Sequence, residues 1–390
     1  MDVDIAGNAG APRTGDPWWA GTTFRVDLAM ANVGFYVASI GVVVVVLAGD
    51  LGLPLAQLAW VGSTFGYGLI AMALAGPFVL RLGANRVLAL SAAALGVGSV
   101  LLAFTGVALQ AYIGAVLQGI GAAGLVLVAP GLVHGPDAEK RLTQANAAAS
   151  VAGILAPLLL GLAVMTGLGG RLPLLLMAAA MAVLGVVALL ASREDRAAAQ
   201  VVAEAEVPQV RFSRLEAGRR WLALVSAVAV EFCFVVWGVA RLTSMGIDRG
   251  QAAVIATAFP LGMAVGRLLG SWLIARLPMV LVGSAVTAAG TLLVVLVDAW
   301  PAVGIGQFLA GLGLATLYPI LLARLMHTPG LRPEVGASLG ALASGTAITV
   351  APAVLAALAT VVDLRIAFLL PLPILILTLL LYGRPRQGVA

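Results

Sequence analysis

About twelve apolar runs, each long enough to cross a bilayer, fill most of this chain and form two halves offset by about 194 residues. Phe-Gly-Tyr-Gly at 65–68 in the second run corresponds to Phe-Pro-Leu-Gly at 259–262 in the eighth. Ala-Pro at 156–157 in the fifth run recurs at 351–352 in the eleventh. Many secondary transporters are duplicated membrane bundles that hold their substrate at the interface between repeats. The duplication therefore predicts two membrane bundles with a site between them.

The composition favours membrane helices over a soluble fold or a barrel. Hydrophobic residues make up 62% of the chain, charged residues 10%, and the mean hydropathy is +1.08. A transmembrane helix needs about 20 apolar residues. A membrane barrel would alternate apolar and polar residues, whereas these runs are continuously apolar. We predict an all-α membrane protein with twelve transmembrane helices in two pseudo-symmetric six-helix bundles, at roughly 26–48, 55–80, 87–105, 107–130, 147–166, 172–191, 221–243, 251–275, 278–298, 301–323, 336–360 and 366–382.

The basic residues predict the orientation of these spans. Seventeen of the 22 lysines and arginines fall on the side of the N-terminus and three on the opposite side. The positive-inside rule then places both termini in the cytoplasm. We expect the protein to lie in a cytoplasmic (inner) membrane. We interpret the pI near 10.0 as part of this topology signal. It does not indicate a nucleic-acid patch, because the arginines are dispersed over several short loops. The predicted domains are a cytoplasmic tail (1–24), an N-terminal bundle (25–192), a cytoplasmic linker (193–220), a C-terminal bundle (221–383) and a second tail (384–390).

A loop signature follows the second run. Gly76, Arg81, Gly83 and Arg86 match the glycines and arginines of Gly-x-x-x-Asp-Arg-x-Gly-x-x-Arg, with Leu80 at the Asp position. The segment resembles the loop signature of the major facilitator superfamily. The resemblance implies alternating access, with the arginines docking on neighbouring helix ends to hold the inner gate shut. The predicted gate comprises Arg81, Arg86, Arg276, Asp137, Glu139 and Glu334.

The seventh run contains a Glu followed six residues later by a Trp, namely Glu231 and Trp237. This spacing is similar to the seventh span of the fucose-permease-like sugar branch of that superfamily. That branch has Gly and Asp where this chain has Phe232 and Val236. The segment 311–319 in the tenth run also resembles the branch.

Glu231 is the sharpest candidate for chemistry, because it lies about 11 residues from either end of its span. An ionised carboxylate at that depth is costly, so we expect it to be protonated, paired or facing a water-filled cavity. It is either a proton-binding or substrate-binding group or a structural acid hydrogen-bonded between helices. Arg267, in the next span, has Glu231 as its nearest acid in depth. It is either a switching partner of Glu231 or a static packing arginine.

Six further polar or aromatic residues are candidates for the substrate or proton site. Asp27 either stabilises the N-terminal end of its helix or takes part in transport. Arg241 either extends its side chain to the membrane surface or contacts the substrate. Buried amides join helices or line the cavity, and the tryptophan either packs in the core or contributes to the site. The complete set of substrate or proton candidates is Glu231, Arg267, Asn32, Gln118, Gln307, Trp237, Arg241 and Asp27.

The pattern contains no nucleophile–base constellation, metal cluster or nucleotide motif, so we predict neither an enzyme nor a cofactor. Uphill transport would then draw on an ion gradient, most simply protons. We predict a secondary active transporter of a small organic solute, working by alternating access in the direction of export. The expected partners are the bilayer, the solute and protons, with no nucleic acid, and a monomer suffices. The alternatives are a proton-coupled or facilitative importer of a sugar-like solute and a non-transporting sensor on a transporter scaffold.

Overall fold

A computed structural model describes residues 21–133, 138–192, 213–273 and 276–383, without the side chains at 77, 139, 271, 333 and 334. Within these ranges the regular structure is helical and contains no strand. Twelve helical segments are long and apolar enough to span a membrane, which confirms the predicted fold class. Spans 1 to 12 are Thr22–Leu51, Leu55–Gly76, Ala84–Ala103, Ala108–Leu132, Lys140–Met165, Leu172–Ala191, Arg214–Thr243, Arg249–Gly270, Met279–Leu296, Trp300–Met326, Val335–Ala359 and Leu364–Tyr382.

Four spans consist of two helical pieces, and prolines account for three of the breaks. Proline has no backbone N–H and clashes with the carbonyl four residues earlier, so a helix readily breaks there. Pro260, Pro319 and Pro371 each follow a break by one to three residues. The paired pieces are Leu55–Leu58 and Trp60–Val79, Arg249–Ala256 and Ala258–Leu273, Trp300–Leu314 and Leu317–Met326, and Leu364–Ala367 and Pro371–Tyr382.

The two halves repeat the same close helix crossings. A Cβ on Gly119 of span 4 would lie 2.1 Å from the carbonyl oxygen of Phe65 in span 2. The equivalent Cβ on Gly311 of span 10 would lie 2.1 Å from the carbonyl oxygen of Phe259 in span 8. Only glycine permits backbones to approach this closely, which is why small residues occupy helix contacts in membranes. The internal duplication is therefore present in the packing.

A pair of corresponding arginines caps helix ends in both halves. Arg171 Nη1 donates to the carbonyl oxygens of Ala103 (3.3 Å) and Thr105 (2.9 Å), where span 3 ends. Arg365 donates to the carbonyl oxygens of Val295 and Leu296 (2.7 Å to the latter), where span 9 ends. The last carbonyls of a helix lack intrahelical partners, so the guanidinium groups satisfy them.

The halves meet along three pairs of spans. Span 2 packs on span 11, span 5 on span 8, and span 1 on span 7, whereas the other extensive contacts join spans of the same half. We call the end of the bundle where span 1 ends the Asp50 face, with its loops at 52–54, 104–107, 166–171, 244–248, 297–299 and 360–363. The opposite end, with described loops at 80–83, 276–278 and 327–332, is the Arg81 face. The candidate site lies between the halves, with Glu231 in mid-span and Arg267 nearer the Arg81 face.

Candidate substrate and proton site

Glu231 is partly exposed in a stretch of span 7 that is otherwise buried. Its neighbours Val230 and Phe232 are both buried, at 0% and 3% exposure. Arg267 of span 8 and Tyr318 of span 10 lie close enough to interact with it electrostatically. Among the described residues, no ion pair within 4 Å includes Glu231. Glu231 is thus a partly exposed carboxylate with one nearby cation and no fixed salt bridge.

Arg267 connects the two halves. Its Nη1 donates to Ser150 Oγ of span 5 at 2.8 Å, and Ser150 Oγ donates in turn to the carbonyl oxygen of Asn146 at 3.0 Å. The guanidinium side chain is exposed, and its direct partner is a neutral hydroxyl. Span 5 belongs to the first half and span 8 to the second, so this contact crosses the interface that must change during alternating access.

Two further hydroxyl groups belong to the same half as the acid. Tyr318 of span 10 interacts electrostatically with Glu231, and Ser344 of span 11 lies close to the Tyr318 hydroxyl. We define the central polar cluster as Glu231, Arg267, Ser150, Tyr318 and Ser344. It offers one proton-binding carboxylate, one permanent cation and three neutral hydroxyls, contributed by spans 5, 7, 8, 10 and 11.

The predicted amides lie elsewhere and are buried. Gln118 Nε2 donates to Ser99 Oγ at 3.0 Å, which joins spans 4 and 3. Gln307 Nε2 donates to the carbonyl oxygen of Gly238 at 2.9 Å, which joins spans 10 and 7. Asn32 Nδ2 donates to the carbonyl oxygen of Leu28 within span 1 at 2.8 Å. All three hydrogen bonds stay within one half, and those of Gln118 and Gln307 hold neighbouring helices together.

The remaining candidates are also outside the central polar cluster. Trp237 is buried, and its Nε1 donates to the carbonyl oxygen of Pro352 at 3.3 Å, which fastens span 7 to span 11. Asp27 lies near the beginning of span 1 with its Oδ1 buried and without a hydrogen-bond partner. Arg241 Nη2 contacts Asp298 Oδ1 at 2.9 Å on the Asp50 face. The Arg241 hydrogen bond holds the pKa of Asp298, in the loop between spans 9 and 10, below its usual range.

The Asp50 face is closed by contacts between the halves. Asp50 pairs with Arg171 of its own half at 2.9 Å and with Arg249 of the other half at 3.5 Å. A Cβ on Gly49 would lie 1.9 Å from Arg249 Nη1, so glycine makes room for the guanidinium. Nearby, a Cβ on Gly161 of span 5 would lie 2.7 Å from the carbonyl oxygen of Gly250 in span 8.

Two of the three gate arginines on the Arg81 face contact rings of their own half. The Arg81 guanidinium lies 5.7 Å from the centre of the Phe78 ring, and that of Arg276 lies 4.2 Å from the Trp272 ring. Arg86 is exposed. Among the described side chains, no carboxylate lies within 4 Å of these three arginines. The predicted acidic partners Asp137, Glu139 and Glu334 lie outside the described residues or side chains, so this gate stays a prediction.

Sequence reasoning did not find Ser150, Tyr318, Ser344 or the Asp50–Arg249 pair. Tyr318 stands beside Pro319 in the segment 311–319, and a polar aromatic residue next to a helix break was a usable signal. Ser150 follows a run of alanines, and the sequence around it contains no signal of a functional role. Within the described ranges, no three His, Cys, Asp or Glu side chains converge as a metal site would require.

Solved structures with the same fold are transporters. They include the peptide transporter POT in complex with sulfate (17% identity, TM-score 0.75, covering 97% of this chain and 96% of that one). The nucleoside transporter NupG gives 13% identity and a TM-score of 0.71 over 93% of this chain and 99% of that one. A bacterial homolog of the human lysosomal transporter Spinster, inward-facing and occupied, gives 13% identity and a TM-score of 0.70 over 94% of this chain and 97% of that one.

At these identities the similarity shows the fold but does not identify a substrate. A comparison with curated proteins finds no match. The sequence profile of the Major Facilitator Superfamily matches residues 27–244, which is more than half of the chain. This protein therefore belongs to the Major Facilitator Superfamily.

Proposed function

We propose that the protein is a proton-coupled secondary transporter that exports a small organic solute across the cytoplasmic membrane. Family and fold support a secondary transporter. The observation that carries proton coupling is Glu231, a partly exposed carboxylate in mid-span beside Arg267, which itself reaches across to the other half. Both termini are proposed to lie in the cytoplasm, from the distribution of basic residues.

Proton binding at Glu231 can affect the interface between the halves through Arg267. While Glu231 is ionised, it attracts the guanidinium of Arg267, which cannot lose its proton. Protonation removes that attraction, and the guanidinium then depends on Ser150 or on a ligand. Because the contact of Arg267 with Ser150 crosses between the halves, this change of partner alters the relative free energies of the two transport states.

The structure corresponds to a state closed at the Asp50 face. Opening that face requires Arg249 to leave Asp50 and Gly250 to separate from Gly161. The ion pair is largely exposed, with 38% of Asp50 and 43% of Arg249 accessible, and exposed pairs contribute only about 0–1 kcal/mol. A contact of this strength can be broken and remade in each transport cycle. One chain supplies both halves, so a monomer is sufficient.

Gradient-driven transport in proteoliposomes tests the proposal. The purified protein is reconstituted, a mixture of small metabolites is added, and mass spectrometry identifies solutes whose distribution follows an imposed pH gradient. We expect Glu231→Gln to retain exchange of such a solute but to lose its accumulation. The matched control is Glu216→Gln, because Glu216 is in the same span but pairs with Arg219 and Arg220 near its start. Full accumulation by Glu231→Gln would contradict the proposed coupling.

A further inference from the structure

The central polar cluster contains one acid and one base, and their charges cancel. Glu231 is its carboxylate and Arg267 its guanidinium, whereas Ser150, Tyr318 and Ser344 are neutral hydroxyls. No salt bridge within 4 Å joins Glu231 and Arg267, and Arg267 is exposed. The guanidinium is therefore available to an incoming ligand.

The other charged groups of the spans that pack against span 7 lie toward the ends of their helices. Spans 1, 8, 10, 11 and 12 pack against span 7. Span 11 has no titratable residue, and Arg267 and Tyr318 are the residues of these spans with an electrostatic interaction with Glu231. The titratable residues of the packed spans that lie toward their ends or are buried within one half are Arg25, Asp27, Tyr36, Asp50, Arg249, Arg324, Arg365 and Tyr382.

We propose that the transported solute carries a single carboxylate, which replaces Glu231 as the partner of Arg267 while Glu231 takes up one proton. This inference rests on the proposed proton coupling and names the substrate class of the same site. A guanidinium binds a carboxylate through two parallel hydrogen bonds, a geometry that Ser150 cannot provide. The solute and the proton then move together, so efflux is driven by an outward gradient of the solute.

Charge balance selects this class over the alternatives. Before binding, the cluster holds one negative and one positive charge. After a monocarboxylate and a proton bind, it again holds one of each, so no net charge enters the low-dielectric interior. A cation would leave one excess positive charge, and a dianion would leave one excess negative charge even with Glu231 protonated. A neutral solute would leave the pair undisturbed and provide no coupling.

A zwitterion is the remaining alternative, and it makes a different prediction. Its carboxylate would pair with Arg267 and its ammonium with Glu231, so the cluster would stay neutral without taking up a proton. Proton uptake on binding therefore separates the two classes. The proposed coupling favours the monocarboxylate, because only this class makes solute and proton binding depend on each other.

The test uses the full-length protein in detergent with matched probes. Propionate, lactate and benzoate are each compared with their primary amides, and glycine and succinate represent zwitterions and dianions. Thermal stabilisation gives the affinity, and a pH indicator in weak buffer at pH 7.5 counts the protons taken up. We expect at least one monocarboxylate to bind at least about tenfold more tightly than its amide, with about one proton taken up per protein.

Three variants separate the roles. Arg267→Gln should abolish the preference for the carboxylate, whereas Glu231→Gln should bind it without proton uptake. Arg332→Gln is the control, because Arg332 is an exposed residue at the Arg81 face. The proposal is overturned if no carboxylate binds better than its amide, if binding takes up no proton, or if glycine or succinate is preferred.

These results also distinguish this proposal from the proposed function. If a pH gradient drives accumulation of a neutral or cationic solute, proton-coupled transport stands and the carboxylate class fails. If a carboxylate binds with proton uptake but a pH gradient drives no flux in proteoliposomes, the site assignment stands and coupled transport fails.

Discussion

The two faces of the bundle differ in the contacts that their charged side chains make. At the Asp50 face, Arg249 of one half contacts Asp50 of the other, and Gly161 and Gly250 bring the backbones together beside them. At the Arg81 face, two of the predicted gate arginines lie over aromatic rings of their own half, Arg81 over Phe78 and Arg276 over Trp272. Within the part of the chain that the structure describes, an ion pair joins the halves at the Asp50 face and has no counterpart at the Arg81 face.

A second comparison sharpens this distinction. The Asp50–Arg249 pair crosses between halves, whereas Asp298 pairs with Arg241 inside one half. Alternating access separates groups in different halves and leaves groups within one half together. Disrupting the first pair should therefore change transport, and disrupting the second should change only stability.

The largest effect is expected from filling the glycine contact at the Asp50 face. Gly161→Val places a branched side chain where even a Cβ would lie 2.7 Å from a carbonyl oxygen. Overpacking of this kind costs about 1–3 kcal/mol, so the population of the closed state relative to the open state should fall by about fivefold to about 150-fold. Spin labels on Val107→Cys and Val361→Cys, both on exposed residues of the Asp50 face, would report the separation. Cys233 is buried, so labelling should stay selective.

The control is Gly106→Val, because a Cβ on Gly106 meets nothing within 4 Å on the same face. Similar label distances in Gly161→Val and Gly106→Val would show that the glycine contact does not hold this face closed.

A smaller effect is expected from Asp50→Asn. This change weakens the ion pair between the halves, while Arg171 keeps its hydrogen bonds to the carbonyl oxygens of Ala103 and Thr105. An exposed pair is worth about 0–1 kcal/mol, so opening should increase by about fivefold at most. Double electron–electron resonance between the same labels measures it. An unchanged distance distribution would mean that packing alone closes the face.

The smallest effect is expected from Asp298→Asn. The folded-state pKa of Asp298 is lowered by Arg241, so its contribution to stability is present above the ordinary aspartate pKa and is lost as pH falls. Asp298 is 60% exposed, so the destabilisation at pH 7 should be small, and it should shrink as pH falls below about 4 toward the lowered folded-state pKa. Thermal unfolding at both pH values measures this. Transport should be unchanged, and a loss of transport would mean that this pair takes part in the cycle.

The fold was largely predictable from sequence, and the site only in part. Twelve spans follow from apolar length, and Glu231 stands out because an acid in mid-span is costly. The contact between Arg267 and Ser150 was not predictable, because it depends on how the halves dock. A helix that is apolar on all sides carries no periodic signal of which face points inward. For the same reason the sequence left open whether Gln118 and Gln307 line the cavity, whereas the structure bonds them to Ser99 and Gly238.

The most direct test of the account is whether protonation of Glu231 shifts the balance between the two states. The separation of the labels at residues 107 and 361 would be measured at pH 5.5 and pH 8 in otherwise unchanged protein and in Glu231→Gln. We predict a distance distribution that depends on pH when Glu231 is present and one that does not in the variant. An equal response to pH in both proteins would contradict Glu231 as the coupling site.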